Sequence, residues 1–93
     1  MDLRDALIDW DDSDNEDGNT VHIAEHGLTP EEVESVLYDP SSTFDFSASS
    51  GRPIAFGYTM TGRFIVVAFD VLNPDDPLIV HPVTAYEVPE PGA

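Results

Sequence analysis

Very few side chains in this sequence can move a proton or hold an anion. Three histidines, His22, His26 and His81, carry the only imidazoles, and Arg4, Arg52 and Arg63 carry the only strong cations. There is no cysteine, so neither a disulfide framework nor thiolate chemistry is available. His81 alternates with Ile79 and Val83. It is read either as a general acid/base, with an unperturbed pKa near 6.5, or as a satisfied, half-buried histidine. Arg52 and Arg63 flank the longest candidate hairpin. They offer anion or RNA contact, or else salt bridges to an acidic surface. Tyr58 and Tyr86 stand as proton-handling phenols or as packing residues. No glycine-rich phosphate loop and no nucleophilic triad signature is present, and no cofactor is expected.

Two patterns invite a metal reading. His22-Ile23-Ala24-Glu25-His26 matches H-x-x-E-H, and histidines four apart share a helical face. The segment ends at Gly27 without a later helix supplying a third ligand, so His22 and His26 are read first as polar-face residues. The acidic run from Asp11 to Asn19 resembles a calcium loop only in composition. With Gly18 at loop position 6, position 12 is Ala24, where a bidentate glutamate is required. No metal ligand set is therefore assigned.

These residues need elements to hold them. Ninety-three residues suffice for one domain, here 1–93, with a core over about 10–88, an acidic loop at 11–19 and a frayed tail at 89–93. The first nine residues fit a short helix or a strand equally well. Asn19 is placed to cap a short helix through His26, with Gly27 ending it in a left-handed conformation. Thr29-Pro30-Glu31-Glu32 is a capping box with proline at the first helical position. Leu28 and Val33 complete a hydrophobic staple, and Val33, Val36 and Leu37 face inward over a helix at 30–38. Asp39-Pro40 stops it.

Beyond Pro40 the apolar period drops to two. Strands are predicted at 43–46, at 54–60, at 64–69 and at 78–86, with Pro82 marking the last as an edge. Thr61-Gly62 reads as a two-residue hairpin loop. It sets Met60 opposite Arg63, Tyr58 opposite Ile65 and Phe56 opposite Val67, and puts Arg52 near Val71. At roughly 3.3 Å per residue the two arginines lie about 25 Å apart, too far to grip one phosphate. The same pairing sets Tyr86 near Arg63 and His81 at mid-sheet. The fold class is α+β, two short N-terminal helices on a curled four-stranded antiparallel sheet.

Charge excludes more than it assigns. Nineteen acidic residues face three arginines, and lysine is absent, for a net −16. Such a field repels nucleic acid, whose binding draws on Lys and Arg displacing counterions, so DNA is excluded as a partner. It favours a basic protein partner, cations or solubility at high salt. The run from Phe64 to Phe69 is too short to span a bilayer, and the N-terminus lacks a signal-peptide core, so a cytoplasmic protein without membrane attachment is expected.

In order along the chain stand Trp10-Asp11, Asn19, His22, and His26-Gly27-Leu28-Thr29-Pro30-Glu31-Glu32-Val33-Glu34. Asp39-Pro40, Arg52, Gly57, Thr61-Gly62-Arg63-Phe64-Ile65-Val66-Val67 and Thr84-Ala85 follow. Together they resemble the BrnT toxin family, the ribonuclease half of a bacterial toxin–antitoxin pair, from Trp10 to about Val88. The resemblance implies a fold like that of RelE-type ribonucleases and neutralisation by an antitoxin-like, basic protein partner. It implies RNA as substrate if the chain is active. His81 would then be the acid/base, Arg63 or Arg52 would steady the phosphate, and Tyr86 would assist. The family's final strand often reads R-I-I-S-A-R-K, and here His81-Pro82-Val83-Thr84-Ala85-Tyr86-Glu87 replaces it. The basic C-terminal helix gives way to Pro89-Glu90-Pro91-Gly92-Ala93. The expected function is a divergent member with weakened or lost ribonuclease activity. The alternatives are a non-catalytic acidic binding module and a small metal-binding protein using His22 and His26.

Overall fold

The computed structural model describes residues 2–92. In chain order its elements are β1 (Leu7–Ile8), α1 (Asn19–Glu25), α2 (Pro30–Leu37), β2 (Thr43–Phe46), β3 (Pro53–Tyr58), β4 (Phe64–Asn73) and β5 (Ile79–Glu87). The class is α+β, and the sheet is five-stranded and mixed, in the order β1-β5-β4-β3-β2. Four strands form the expected antiparallel meander. The fifth, β1, corrects the expectation: it joins β5 in parallel, with Leu7 beside Ile79 and Ile8 beside Val80. At its two ends the Leu7 N–H bonds Leu78 O and the Asp9 N–H bonds Val80 O, both at 2.8 Å. Two residues carry no measurable period, so alternation could not reveal this strand.

Helix α2 forms where local chemistry demands it. Thr29 Oγ1 accepts from the Glu32 N–H at 3.2 Å, and the Glu32 carboxylate accepts from the Thr29 N–H at 3.2 Å. This reciprocal cap, with proline at the first position, satisfies donors that a helix start leaves unpaired. Val33, Val36 and Leu37 are buried, as is the staple residue Leu28. Helix α1 ends as expected: Gly27 takes φ +75°, its N–H bonds Ala24 O, and the Leu28 N–H bonds Ile23 O. Its start differs, because Gly18 is the cap and Asn19 is already helical.

Both helices lie on one face of the sheet, α1 against β5 and α2 against β3 and β4. Between them sits one core, built around Ile23, Val33, Val36, Ala55, Ile65, Val67, Phe69, Val80 and Ala85. Each large apolar side chain buried there contributes about 1.5–3 kcal/mol. Gly57 of β3 permits close helix packing, since a Cβ there would come within 3.1 Å of Val36 Cγ1 and collide with the Ser42 hydroxyl.

The β3–β4 turn is one residue longer than predicted. Thr59 N–H bonds Arg63 O at 2.8 Å, and Gly62 N–H returns to Thr59 O at 3.0 Å. The loop is therefore Met60-Thr61-Gly62, a turn closed by a residue at φ +86° that glycine adopts without strain. Tyr58 pairs with Phe64 and Phe56 with Val66, while Ile65 and Val67 face Gly57 and Ala55. The predicted pairing of Tyr58 with Ile65 and of Phe56 with Val67 is overturned, because a one-residue slip exchanges the two faces. At β5, Tyr86 lies opposite Val66 and His81 opposite Asp70. Strand β2 has a neighbour on one side only and leaves its outer edge open.

Candidate functional site

The four residues expected to carry chemistry are not assembled into one site. Arg63 leaves the hairpin toward the helices. Its Nη1 donates to the Gly27 carbonyl at 2.7 Å and its Nη2 to Glu87 Oε1 at 3.2 Å, with Glu32 Oε2 at 3.7 Å. Glu87, not Tyr86, is the β5 residue that meets Arg63. Glu32 is buried, and its carboxylate takes the Thr61 hydroxyl at 2.7 Å as well as the Thr29 N–H. The Thr61 hydrogen bond, the Thr29 N–H and the Arg63 charge hold its carboxyl below the usual range against the opposing effect of burial.

Arg52 stands at the opposite end of the hairpin, its Nε donating to Asp70 Oδ1 at 2.9 Å. The expected neighbour was Val71, and the one-residue slip accounts for the change. Arg4 is paired with Asp2 at 2.9 Å. All three arginines of the chain thus engage a carboxylate.

His81 sits near the start of β5 instead of mid-sheet, and its partners come from the N-terminal segment. Its Nδ1 lies 2.8 Å from Asp9 Oδ2 and its Nε2 lies 3.9 Å from Asp11 Oδ2. A carboxylate only accepts, so in the neutral ring Nδ1 carries the proton and Nε2 presents a lone pair. Parallel pairing of β1 with β5 brings Asp9 to this place. Asn19 fixes Asp11: its N–H donates to Asp11 Oδ2 at 2.9 Å, and its Oδ1 accepts the Asp11 N–H at 2.8 Å. The Asn19 Nδ2 then reaches Asp9 O at 3.0 Å and Pro82 O at 2.8 Å. Asn19, predicted as a helix cap, is thus a buried tie between the acidic loop, α1 and β5. Thr20 adds a hydroxyl bond of 2.6 Å to Asp11 O.

Asp9 and Asp11 were missed by sequence reasoning. Their Asp-x-Asp spacing gave no reason to place them beside a histidine seventy residues away. His22 and His26, by contrast, are exposed, and the His26 ring lies 5.9 Å from that of Tyr86. Among the described residues, the group of three potential metal donors is Asp9, Asp11 and His81.

The face of the sheet turned away from the helices forms a second feature. Ile54, Phe56, Val66, Ala68, Thr84, Tyr86 and Val88 line a shallow cavity of about 300 Å³, edged by Ser47, Ser50 and Arg52. Phe56 and Phe64 stack at 6.3 Å, and Tyr58 tilts on Phe64 at 4.9 Å. Tyr58 is 47% exposed and Tyr86 45%. Register places Asp45 and Asp70 on this same face, across from Ile54 and His81. Among the described residues no helix is long and apolar enough to cross a membrane.

Comparison of the chain with protein-family models, with curated proteins and with solved structures gives no match in any of the three.

Proposed function

We propose that this chain is a divergent BrnT-like protein that acts without catalysis, holding a basic protein partner on the open face of its sheet. One observation carries the reading: every arginine is already paired with a carboxylate, so no arginine is free to take a phosphate. An RNA backbone would have to displace those partners against a net charge of −16. The order of motifs from Trp10-Asp11 to Thr84-Ala85 supports the family reading. An exposed aromatic patch with an acidic residue beside it suits an amphipathic, lysine- or arginine-rich segment, in which the apolar side is buried and a charge meets Asp45.

A second reading keeps ribonuclease activity and is favoured by the His81–Asp9 pair, which fixes the imidazole tautomer as a general base requires. Two experiments separate them. The purified protein is incubated with single-stranded RNA beside His81→Ala, and a basic amphipathic peptide is titrated while backbone amide shifts are followed. Intact RNA, with shifts centred on Ile54, Phe56, Tyr58 and Tyr86, is the expected result. RNA cleavage that disappears in His81→Ala would overturn it in favour of the ribonuclease, with Tyr86, Arg52 and Arg63 tested next.

A further inference from the structure

We infer that Asp11 and His81 form a binding site for one divalent transition-metal ion, with Asp9 holding the imidazole from behind. This inference is independent of the open-face reading, since it uses other residues and needs no partner. The Asp9 carboxylate at 2.8 Å takes the Nδ1 proton of the neutral ring, which leaves the Nε2 lone pair only 3.9 Å from Asp11 Oδ2. Two acceptors then face each other with no donor between them, an arrangement that a cation at their midpoint relieves. Metal-bound histidines commonly donate their second ring nitrogen to a carboxylate, and that outer carboxylate is already in place.

The span also fits. Bonds of about 2.1 Å allow two ligand atoms to stand up to about 4.2 Å apart on one ion. His81 Nε2 and Asp11 Oδ2, 3.9 Å apart, fall inside that span, and Asp9 stays on Nδ1. Asp11 is pre-set by the Asn19 N–H at 2.9 Å, and Asn19 is itself buried, so this ligand pays little ordering entropy. His81 is about three-quarters shielded, with a side-chain exposure of 25%, while Asp9 and Asp11 at 46% and 32% leave water access to complete the coordination. An imidazole with carboxylate and water suits a borderline ion such as zinc better than magnesium, which demands oxygen ligands in near-ideal octahedral geometry. The chain's excess negative charge raises the local concentration of any such cation.

The test uses the full chain stripped with a chelator and titrated with zinc chloride by calorimetry, with the imidazole nitrogens followed by NMR. Saturation at one equivalent with a shift at His81 Nε2 is expected, and magnesium at equal concentration should leave that signal in place. His81→Gln and Asp11→Asn should each weaken binding at least tenfold, and Asp9→Asn by 10–100-fold with a change in ring tautomer. A urea curve on each variant verifies that it folds. The double change His22→Ala and His26→Ala should leave the affinity unaltered. Absence of saturable binding, unchanged affinity in His81→Gln, or loss in the His22/His26 pair would each overturn the site.

Discussion

Two polar clusters stand at opposite ends of the sheet, built from similar residues and differently supplied. At the hairpin end, the Glu32 carboxylate receives a hydroxyl from Thr61, an N–H from Thr29 and the nearby charge of Arg63, while Arg63 also bonds Gly27 O. At the other end, two carboxylates flank one imidazole, and neither carboxylate is paired with an arginine. The first cluster is saturated, and its members tie α2 to the β3–β4 turn. The second has acceptors to spare. A buried charge surrounded by its own donors belongs to stability, whereas a half-open cluster short of donors is where a ligand adds something.

Substitutions can break that contrast. The largest effect is expected for Glu32→Ala, which takes the buried carboxylate from the Thr61 hydroxyl and the capping N–H and removes the charge facing Arg63. It should cost about 2–4 kcal/mol in urea denaturation, and a cost below about 0.5 kcal/mol would show that the knot is not structural. Arg63→Ala should cost less, about 1–2 kcal/mol, because Thr61 and Thr29 still serve Glu32. The pH response sharpens the same point. Glu32 has a folded pKa below its unfolded value of about 4.3, so its contribution is complete above that pH and is lost as pH falls through the folded value. Glu32→Gln should therefore flatten the stability profile below about pH 5, and an unaltered profile would remove Glu32 as the cause. At the other end, His81→Ala should shift stability by no more than about 0.5 kcal/mol without metal present. Smallest of all, Arg52→Ala should change the midpoint scarcely at all, since its bond to Asp70 is exposed and such pairs are worth about 0–1 kcal/mol.

Legibility in the sequence followed the range of the interaction. Thr29, Pro30 and Glu32 announce α2 because every contact of a capping box lies within four residues. Gly27 announces the end of α1 for the same reason. Gly62 marked the hairpin without fixing its length, because glycine closes a two-residue loop and the third position of a longer one alike. That ambiguity moved the whole register and with it the neighbours of Arg52 and Tyr86. Pro82 pointed to an edge strand, but β5 lies between β1 and β4 and β1 is the edge; the proline is tolerated because β1 reaches only Val80 and the Pro82 carbonyl is met by Asn19. The Asp9–His81 contact was out of reach, because it depends on a two-residue parallel pairing between the chain's two ends.

The unpaired outer edge of β2 bears on how copies of this chain behave in crowded solution. Its backbone groups form a template for strand addition, and Phe46, 66% exposed, adds an apolar handle beside it. What keeps two such edges apart is mutual repulsion between bodies of charge −16. That guard weakens with the Debye length, about 8 Å at physiological salt and about 3 Å at 1 M, and vanishes near the isoelectric point of about 4.1. The acidity of the chain is thus expected to oppose edge-to-edge pairing of β2, and light scattering that stays flat down to about pH 4 would show that the edge is guarded in another way.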